Sequence, residues 1–230
     1  MRIARWALCA VFAVLIFTSP AVSRGEDLNS VLRKLDVAAA RFKSTSANFE
    51  FNSVQTDPIP DTDVQIGKVY YERRGSAFEV GVHIDTDNGR PVPKVIVVSH
   101  GLFKMYEKLT NQLTTSNKVG KYESYLVLGF GASGKELEQK WNMKYLGPET
   151  LNGVKTEKLE LLAKDPAVLK TFPKVTIWID TERGVSLKQV FDEGQGQTRT
   201  CTYSNIKVNQ PLPKDAFTFK TDSKTQVISR

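Results

Sequence analysis

Histidine and cysteine are scarce in this chain. Its 230 residues include two of each, whereas a structural zinc site draws four closely spaced ligands from these two residue types. A disulfide scaffold needs several cysteines, and only Cys201 remains once an N-terminal leader that contains Cys9 is removed. The sequence therefore excludes Cys/His zinc frameworks and disulfide scaffolds, and it predicts a buried, inert thiol at Cys201.

The apolar run over residues 6–17 is too short for the roughly 20 residues of a membrane-spanning helix. Basic residues precede this run, and the small residues of segment 21–23 follow it, which is the pattern of a secretory signal peptide. We expect a cleaved signal peptide over residues 1–23 and one exported domain over residues 24–230. An uncleaved N-terminal membrane anchor is the alternative.

Basic residues exceed acidic residues only slightly, with 32 Lys and Arg against 25 Asp and Glu. They are scattered and mostly alternate with acids, as on a solvated protein surface. The sequence therefore does not predict a nucleic-acid interface. Its content of 40% hydrophobic and 25% charged residues is that of an ordinary globular protein.

The spacing of apolar residues changes from helical to extended along the chain. Segment 26–43 carries one apolar stripe and predicts an amphipathic helix. Segments 47–52, 78–84 and 175–180 alternate apolar with polar residues, and turn pairs such as Asn88-Gly89 separate strands of this kind. The pattern predicts a mainly β chain that forms one large antiparallel sheet.

Segment 129–134 reads G-x-G-x-x-G and interrupts the predicted strands. A dinucleotide loop needs a strand before it and a long helix after it, and a P-loop needs Ser or Thr where Glu136 stands. Instead, segment 122–130 is apolar without alternation, and segment 133–140 predicts a short helix capped by its first residue. The sequence therefore predicts two helical pieces joined by a flexible glycine connection.

No catalytic constellation stands out in the sequence. Ser99 and His100 are neighbours in a predicted strand, where adjacent side chains point to opposite faces, so we expect no bond between them. His83 and His100 have no carboxylates grouped around them in the sequence. We predict no catalytic residue, no metal and no cofactor. An exported hydrolase and an envelope interaction module with a solid core remain alternatives.

Large apolar side chains fill one face of each predicted strand. Such a face lines either a packed core or a cavity, and periodicity alone does not separate the two. Strand alternation predicts that the following residues face one common interior: Phe49, Phe51, Val69, Tyr71, Phe78, Val80, Val82, Ile177 and Ile179.

Four segments resemble LolA-type periplasmic lipoprotein carriers. Residues 66–78, IGKVYYERRGSAF, are similar to the G-K-hydrophobic-x-hydrophobic-K-R-P-x-x-F strand of that family. Residues 175–180, VTIWID, resemble its x-L-W-I-D strand. Residues 203–219 are similar to its closing N-x-x-L-P-x-x-x-F-x-F segment, and residues 126–137, LVLGFGASGKEL, resemble a segment of one bacterial branch.

The resemblance implies an incomplete antiparallel β-barrel with a helical lid, in which acyl chains bind between sheet and lid. It implies a monomeric periplasmic carrier without enzyme chemistry or cofactor. The implied partners are acylated lipoproteins, an inner-membrane lipoprotein-releasing transporter and an outer-membrane acceptor. Lipid-binding roles are expected for Phe49, Phe51, Val69, Tyr71, Phe78, Val80, Val82, Leu126, Leu128, Phe130, Trp141, Ile177 and Ile179.

Arg73 stands at the arginine of the family's K-R-P motif, while Glu72 and Arg74 depart from its Lys and Pro. Strand alternation places Arg73 toward the interior, where a guanidinium needs hydrogen-bond partners. We expect it to control the lid by bonding backbone carbonyls of the lid in the closed state. A salt bridge at the barrel rim, to Glu50 or Glu79, is the alternative.

Overall fold

A computed structural model describes residues 27–75, 77–117 and 128–230. The helices in this part of the chain are α1 (Leu28–Arg41), α2 (Gly134–Lys140) and α3 (Pro166–Thr171). The strands are β1 (Ser44–Gln55), β2 (Asp61–Arg74), β3 (Ala77–Asp87), β4 (Arg90–Ser99), β5 (Leu102–Glu107), β6 (Gln112–Ser116), β7 (Trp141–Leu151), β8 (Val154–Ala163), β9 (Lys174–Asp180), β10 (Val185–Gly194), β11 (Gln197–Val208) and β12 (Gln226–Ser229).

All of these strands belong to one sheet, in the order β12-β6-β5-β4-β3-β2-β1-β11-β10-β9-β8-β7. Neighbouring strands are antiparallel, except that β12 runs parallel to β6. Within the described residues β7 and β12 are the two free edges, so the sheet does not close on itself. The predicted mainly β fold, an unclosed antiparallel barrel with helices, is confirmed.

The predicted tight turns join successive strands. Asn88 and Gly89 connect β3 to β4 with φ angles of 48° and 74°, and Asn152 and Gly153 connect β7 to β8 with 49° and 78°. Two successive residues of positive φ form a turn whose twist matches that of the strands on either side. Asn and Gly adopt this backbone at low cost, which is why these pairs signal hairpins in the sequence.

Helix α1 begins and ends two residues inside the predicted segment 26–43. Its first turn is capped by Asp27, whose Oδ1 accepts a hydrogen bond of 2.8 Å from the Ser30 amide. The apolar stripe buries Val31 and Leu35 against the sheet, on what we call the inner face. No helix in the described part of the chain is both long and apolar enough to cross a membrane.

Two groups of buried residues form the core on the inner face. The helix cluster joins α1 and α2 to β7, β8 and β9; its residues are Val31, Leu32, Leu35, Leu128, Leu137, Trp141, Leu159, Leu161, Ala163, Val168, Val175, Ile177 and Ile179. The aromatic cluster lies mainly on β1, β2, β3 and β11; its residues are Phe42, Ala47, Phe49, Val69, Tyr71, Val80, Ile84, Val98, Phe130, Val185, Cys201 and Tyr203.

The opposite side of the sheet, the outer face, is crossed by segment 213–219, which we call the strap. The Ala216 carbonyl lies so close to β3 that a Cβ atom on Gly81 would be 1.9 Å from it, so only glycine fits there. The same carbonyl is 3.2 Å from Nε2 of His83. Farther along, the ring of Phe219 stacks on Tyr106 of β5 with centroids 5.4 Å apart.

Candidate functional site

A row of apolar side chains on the inner face of β1 to β5 is only half buried. Met105 belongs to this row because it lies opposite Ile96 in the register of β4 and β5. The other members pack against the aromatic cluster. We call the row the trough, and it consists of Phe51, Phe78, Val82, Ile96, Phe103 and Met105.

Helices α1 and α2 pack over β7, β8 and β9 and therefore bury the other half of the inner face. Trp141, Ile177 and Ile179, at the base of that half, are 3%, 0% and 1% exposed. The trough lies outside this helix-covered half. It is an apolar surface that retains contact with solvent in the described structure.

Phe130 packs at the centre of the inner face, where it is completely buried. Its ring stacks on Tyr71 with centroids 4.2 Å apart and meets Tyr203 edge-on at 4.8 Å. Arrangements of this kind add to the stabilisation that burial alone provides. The segment that carries Phe130, residues 128–131, is thereby fastened to β2 and β11, and we call it the closing segment.

Backbone hydrogen bonds also hold the closing segment against β10. The amide of Gly131 donates to the Gly184 carbonyl at 3.0 Å, and the Ser186 amide donates to the Gly129 carbonyl at 2.6 Å. In this conformation the predicted glycine connection is held in place by backbone hydrogen bonds, and its movement stays a prediction. Glycine is required here for close packing and for positive φ, which is 76° at Gly129 and 71° at Gly131.

Two buried side-chain hydrogen bonds of Gln189 also connect the closing segment to the sheet. The side-chain amide of Gln189 donates through Nε2 to the Leu128 carbonyl, and its Oε1 accepts a bond of 3.1 Å from the Tyr203 hydroxyl. Burial raises the pKa of Tyr203 and of Tyr71 above the ordinary tyrosine value. Both phenols are therefore neutral at physiological pH, and the Tyr203 hydroxyl keeps the proton that it donates.

Arg73 of β2 reaches the closing segment from the sheet. Its Nη2 donates to the Gly131 carbonyl at 2.7 Å, and its Cζ lies 4.5 Å from the centroid of the Phe78 ring. Its Nε is buried without a hydrogen-bond partner within the described residues. The guanidinium is therefore held by one charge-assisted bond and one cation–π contact, and a polar atom remains unsatisfied beside the trough.

The alternative of a rim salt bridge for Arg73 does not fit the structure. Glu79 pairs with the neighbouring Arg74, whose Nε lies 2.8 Å from its carboxylate. Arg74 also contacts Glu72 at 2.5 Å. Among the described residues no carboxylate forms an ion pair with Arg73, Glu50 included. The interior orientation predicted from strand alternation is thus the one observed.

The predicted interior residues all point inward, but they do not share one interior. Phe49, Val69, Tyr71 and Val80 belong to the aromatic cluster, and Phe51, Phe78 and Val82 belong to the trough beside it. Ile177, Ile179, Trp141 and Leu128 are instead part of the helix cluster. The single common interior is therefore corrected to two clusters, because α1 and α2 pack over β7, β8 and β9 whereas Phe130 packs over β2 and β11. Leu126 lies outside the described residues.

Sequence reasoning missed half of the trough. Ile96 lies within Val95-Ile96-Val97-Val98, and Phe103 and Met105 lie in a similarly apolar strand. Alternation cannot assign a face where both faces carry apolar residues. Gln189 was also missed, since a lone glutamine in a strand carries no signal until its partners are known.

Ser99 and His100 do bond each other, contrary to the prediction from strand alternation. The Ser99 hydroxyl and Nδ1 of His100 are 2.8 Å apart. His100 is not in a strand but in the turn between β4 and β5, with a φ of 51°, which swings its ring toward Ser99. Both residues line a groove on the outer face and not the trough. The described residues contain no group of three or more His, Cys, Asp and Glu suited to a metal.

Comparison with known proteins gives little at the level of sequence. No protein-family model matches the chain. An uncharacterized protein from Methanocaldococcus jannaschii is 31% identical over 126 residues, which are 54% of this chain and 35% of that protein. The chain thus spans about a third of the length of the curated relative that it matches.

Solved structures are informative about the fold. An uncharacterized conserved protein from Thermus thermophilus superimposes over 89% of this chain and 100% of its own, with 13% identity and a TM-score of 0.55. A LolA superfamily protein from Nitrosomonas europaea covers 85% of this chain and 99% of its own, with 15% identity and a TM-score of 0.41. The superposition on the Thermus thermophilus protein indicates a shared architecture. At identities this low the likeness describes the architecture alone.

Proposed function

We propose that this LolA-like chain is a soluble carrier that binds the acyl chains of lipoproteins in the trough and shuttles them from the inner to the outer membrane. The observation that supports the proposal is the trough itself, six half-buried apolar side chains beside a closing segment that a half-buried arginine holds. An interaction module with a solid core would have no use for a solvent-contacting apolar row on its inner face.

The energetics of acyl transfer favour a carrier whose empty state is stabilised by a bond that the loaded state lacks. Moving an acyl chain from water to an apolar site gains about 0.8 kcal/mol per CH₂ group. A chain of roughly 16 carbons therefore gains about 12 kcal/mol before any opposing cost. Binding of that strength would leave the cargo on the carrier, so part of the gain has to be offset in the empty state.

Arg73 supplies such an offset in this proposal. An acyl chain that fills the trough extends beneath the adjoining closing segment and displaces the Gly131 carbonyl, so the bond of 2.7 Å from Arg73 breaks. The closed state is then stabilised by a bond that the loaded state lacks, which favours release. Leu128 and Phe130 move with the closing segment and cover the acyl chain.

The cellular route is part of the same proposal. A signal peptide over residues 1–23 is cleaved, and residues 24–230 act as a monomer in the periplasm. An inner-membrane lipoprotein-releasing transporter loads the carrier, and an outer-membrane acceptor unloads it. Chemistry on the cargo is not required, because binding and release are the whole task.

The direct test is purification of the mature chain from the periplasm, followed by mass spectrometry of bound material. We expect acylated lipoproteins to co-purify with the wild type. Ile96→Asp should abolish the retention of lipoproteins by placing a carboxylate in the trough. Ile66→Asp is the matched control, because Ile66 is 46% exposed and its side chain lies on the outer face. Retention of acylated lipoproteins by Ile96→Asp, or their absence from the wild type, would contradict the proposal.

A further inference from the structure

The outer face carries a groove of about 540 Å³ between the strap and strands β3, β4 and β5. Gly81, Val97 and Lys104 are successive partners in the strand register, so their side of the sheet is the side of the groove. The next residue on β4, Val98, belongs to the aromatic cluster of the inner face. The groove is therefore separated from the trough by the thickness of the sheet.

Two contacts attach the strap to the sheet. At the middle of the strap the Ala216 carbonyl packs against Gly81 and lies 3.2 Å from Nε2 of His83. At the end of the strap Phe219 stacks on Tyr106 with an angle of 15° between the rings. The groove lies beside residues 217–219 of the strap, and the volume of the groove is in the range of small-molecule sites.

The groove has an apolar floor and an apolar wall. Val97 lies at the floor and is 6% exposed, while Leu102 at the margin is 37% exposed. Phe217 and Phe219 of the strap form the wall. Apolar surface of this kind takes up a hydrocarbon chain because burial of the chain removes both surfaces from water.

The groove contains one ammonium group that is free to meet a ligand. Lys104 lines it beside His100, and no carboxylate of the described chain forms an ion pair with Lys104. Its one lining carboxylate, Glu79, is already bound by Arg74 at 2.8 Å. The hydrogen bond between the Ser99 hydroxyl and Nδ1 of His100 holds the His100 ring at the same groove. An ammonium group that makes no ion pair within the described residues, next to an apolar floor, suits an amphiphile with an anionic head.

We propose that the groove is a second lipid site, which binds one acyl chain with an anionic head group, a carboxylate or a phosphate monoester. The chain lies against Val97, Leu102 and the strap phenylalanines, and the head group contacts Lys104 and His100. This site goes beyond the proposed carrier function because it is on the other face of the sheet and does not involve the closing segment. It would allow the protein to hold a free anionic lipid while the trough is occupied or empty.

The test is titration calorimetry of the mature chain with dodecanoate and with dodecyl phosphate, each below its micelle concentration. We expect two molecules of dodecanoate per wild-type chain, one in the trough and one in the groove. Lys104→Glu should weaken the groove site at least tenfold, and Thr218→Trp should fill it from the strap. Lys207→Glu, which makes the same charge change on exposed β11, should leave both sites intact.

The stoichiometries separate this proposal from the carrier proposal. Ile96→Asp should lose the trough site and keep the groove site. If Lys104→Glu and Thr218→Trp both still bind two molecules with wild-type affinity, the groove is not a lipid site. If the wild type binds one molecule and Ile96→Asp removes it, the groove proposal fails while the trough stands. Equal affinity for dodecyltrimethylammonium at the groove would overturn the anionic head group, and the preference between dodecanoate and dodecyl phosphate identifies it.

Discussion

The ring of Phe130 lies parallel to the ring of Tyr71, with centroids 4.2 Å apart and 12° between their planes. This contact joins the closing segment to β2 at the strand that also carries Arg73. The stacked pair and the Arg73 bond therefore close the inner face together, one through dispersion and the other through charge. Opening the closing segment has to break both, and each can be altered separately by mutation.

Replacement of Arg73 should strengthen binding of acyl cargo. Arg73→Leu removes the bond to the Gly131 carbonyl, which stabilises the closed state. A charge-assisted bond contributes about 1.5–3 kcal/mol, so we expect affinity to rise roughly ten- to hundredfold. Displacement of a fluorescent fatty acid measures this, with circular dichroism to check the fold.

Arg74→Leu is the matched control for Arg73→Leu. Arg74 is exposed and pairs with Glu72 and Glu79 on the outer face, so its loss should leave fatty-acid affinity within twofold of wild type. Unchanged or weaker fatty-acid binding in Arg73→Leu would refute the proposal that the bond from Arg73 to Gly131 opposes cargo binding. An equal rise in both variants would assign the effect to net charge instead.

Addition of a methyl group at Gly131 should destabilise the protein. Gly131→Ala places a Cβ 2.3 Å from the ring of Phe42, at a backbone φ of 71°. Gly75→Ala is the control, because Gly75 has a similar φ of 62° and no atom within 4 Å of the new Cβ. Both variants lose stability because alanine disfavours a positive φ. Overpacking against Phe42 should lower the free energy of unfolding of Gly131→Ala by a further amount of about 1–3 kcal/mol. Urea unfolding of the two variants measures the difference, and equal midpoints would show that the closing segment yields freely.

Loss of the Gln189 amide should also destabilise the closed structure. Gln189→Leu leaves the Leu128 carbonyl and the Tyr203 hydroxyl without their buried partner. Each unsatisfied group costs about 1–3 kcal/mol. Gln197→Leu removes an exposed side-chain hydrogen bond to Gln55 and should lower the free energy of unfolding only slightly. Thermal unfolding of both variants tests this. A small change in melting temperature in Gln189→Leu would mean that the closing segment does not depend on the hydrogen bonds of Gln189.

Alkaline pH should weaken the fold through Cys201. Burial raises the pKa of this thiol from 9.0 to about 12. The folded state therefore keeps its proton where the unfolded chain ionises, so stability is fully present below about pH 9 and falls as pH rises toward 12. Urea unfolding should show a smaller loss over this interval for Cys201→Ala than for wild type, and equal losses would contradict the assignment.

Strand alternation was enough to orient much of the inner face. Phe51, Val82 and Arg73 all take the side that their neighbours predict, because each alternates with a polar or exposed residue. The same rule gave no answer for Ile96 and Phe103, whose strands are apolar on both faces. The outer face of β4 and β5 also carries apolar residues, because the strap covers part of that face.

The features that the sequence did not disclose depend on contacts between distant segments. The hydrogen bond of Gly131 could not be predicted because its partner Gly184 lies on a different turn, and Ser99 looked isolated from His100 because the turn conformation was not foreseen. Family resemblance pointed to Arg73, but its acceptor is a backbone carbonyl, which no side-chain motif encodes.

The parallel pairing of β12 with β6 has a consequence for how the chain assembles. Strands β7 to β11 all lie between β6 and β12 in the sequence. The edge of β6 therefore stays unpaired until all of these strands and β12 have been synthesised. Asn111, in the turn before β6, receives β12 by donating to Asp222 and accepting from the Gln226 amide. Until that docking, the nascent sheet exposes an unpaired edge to other chains. The period of greatest aggregation risk during folding is therefore the interval before β12 pairs with β6.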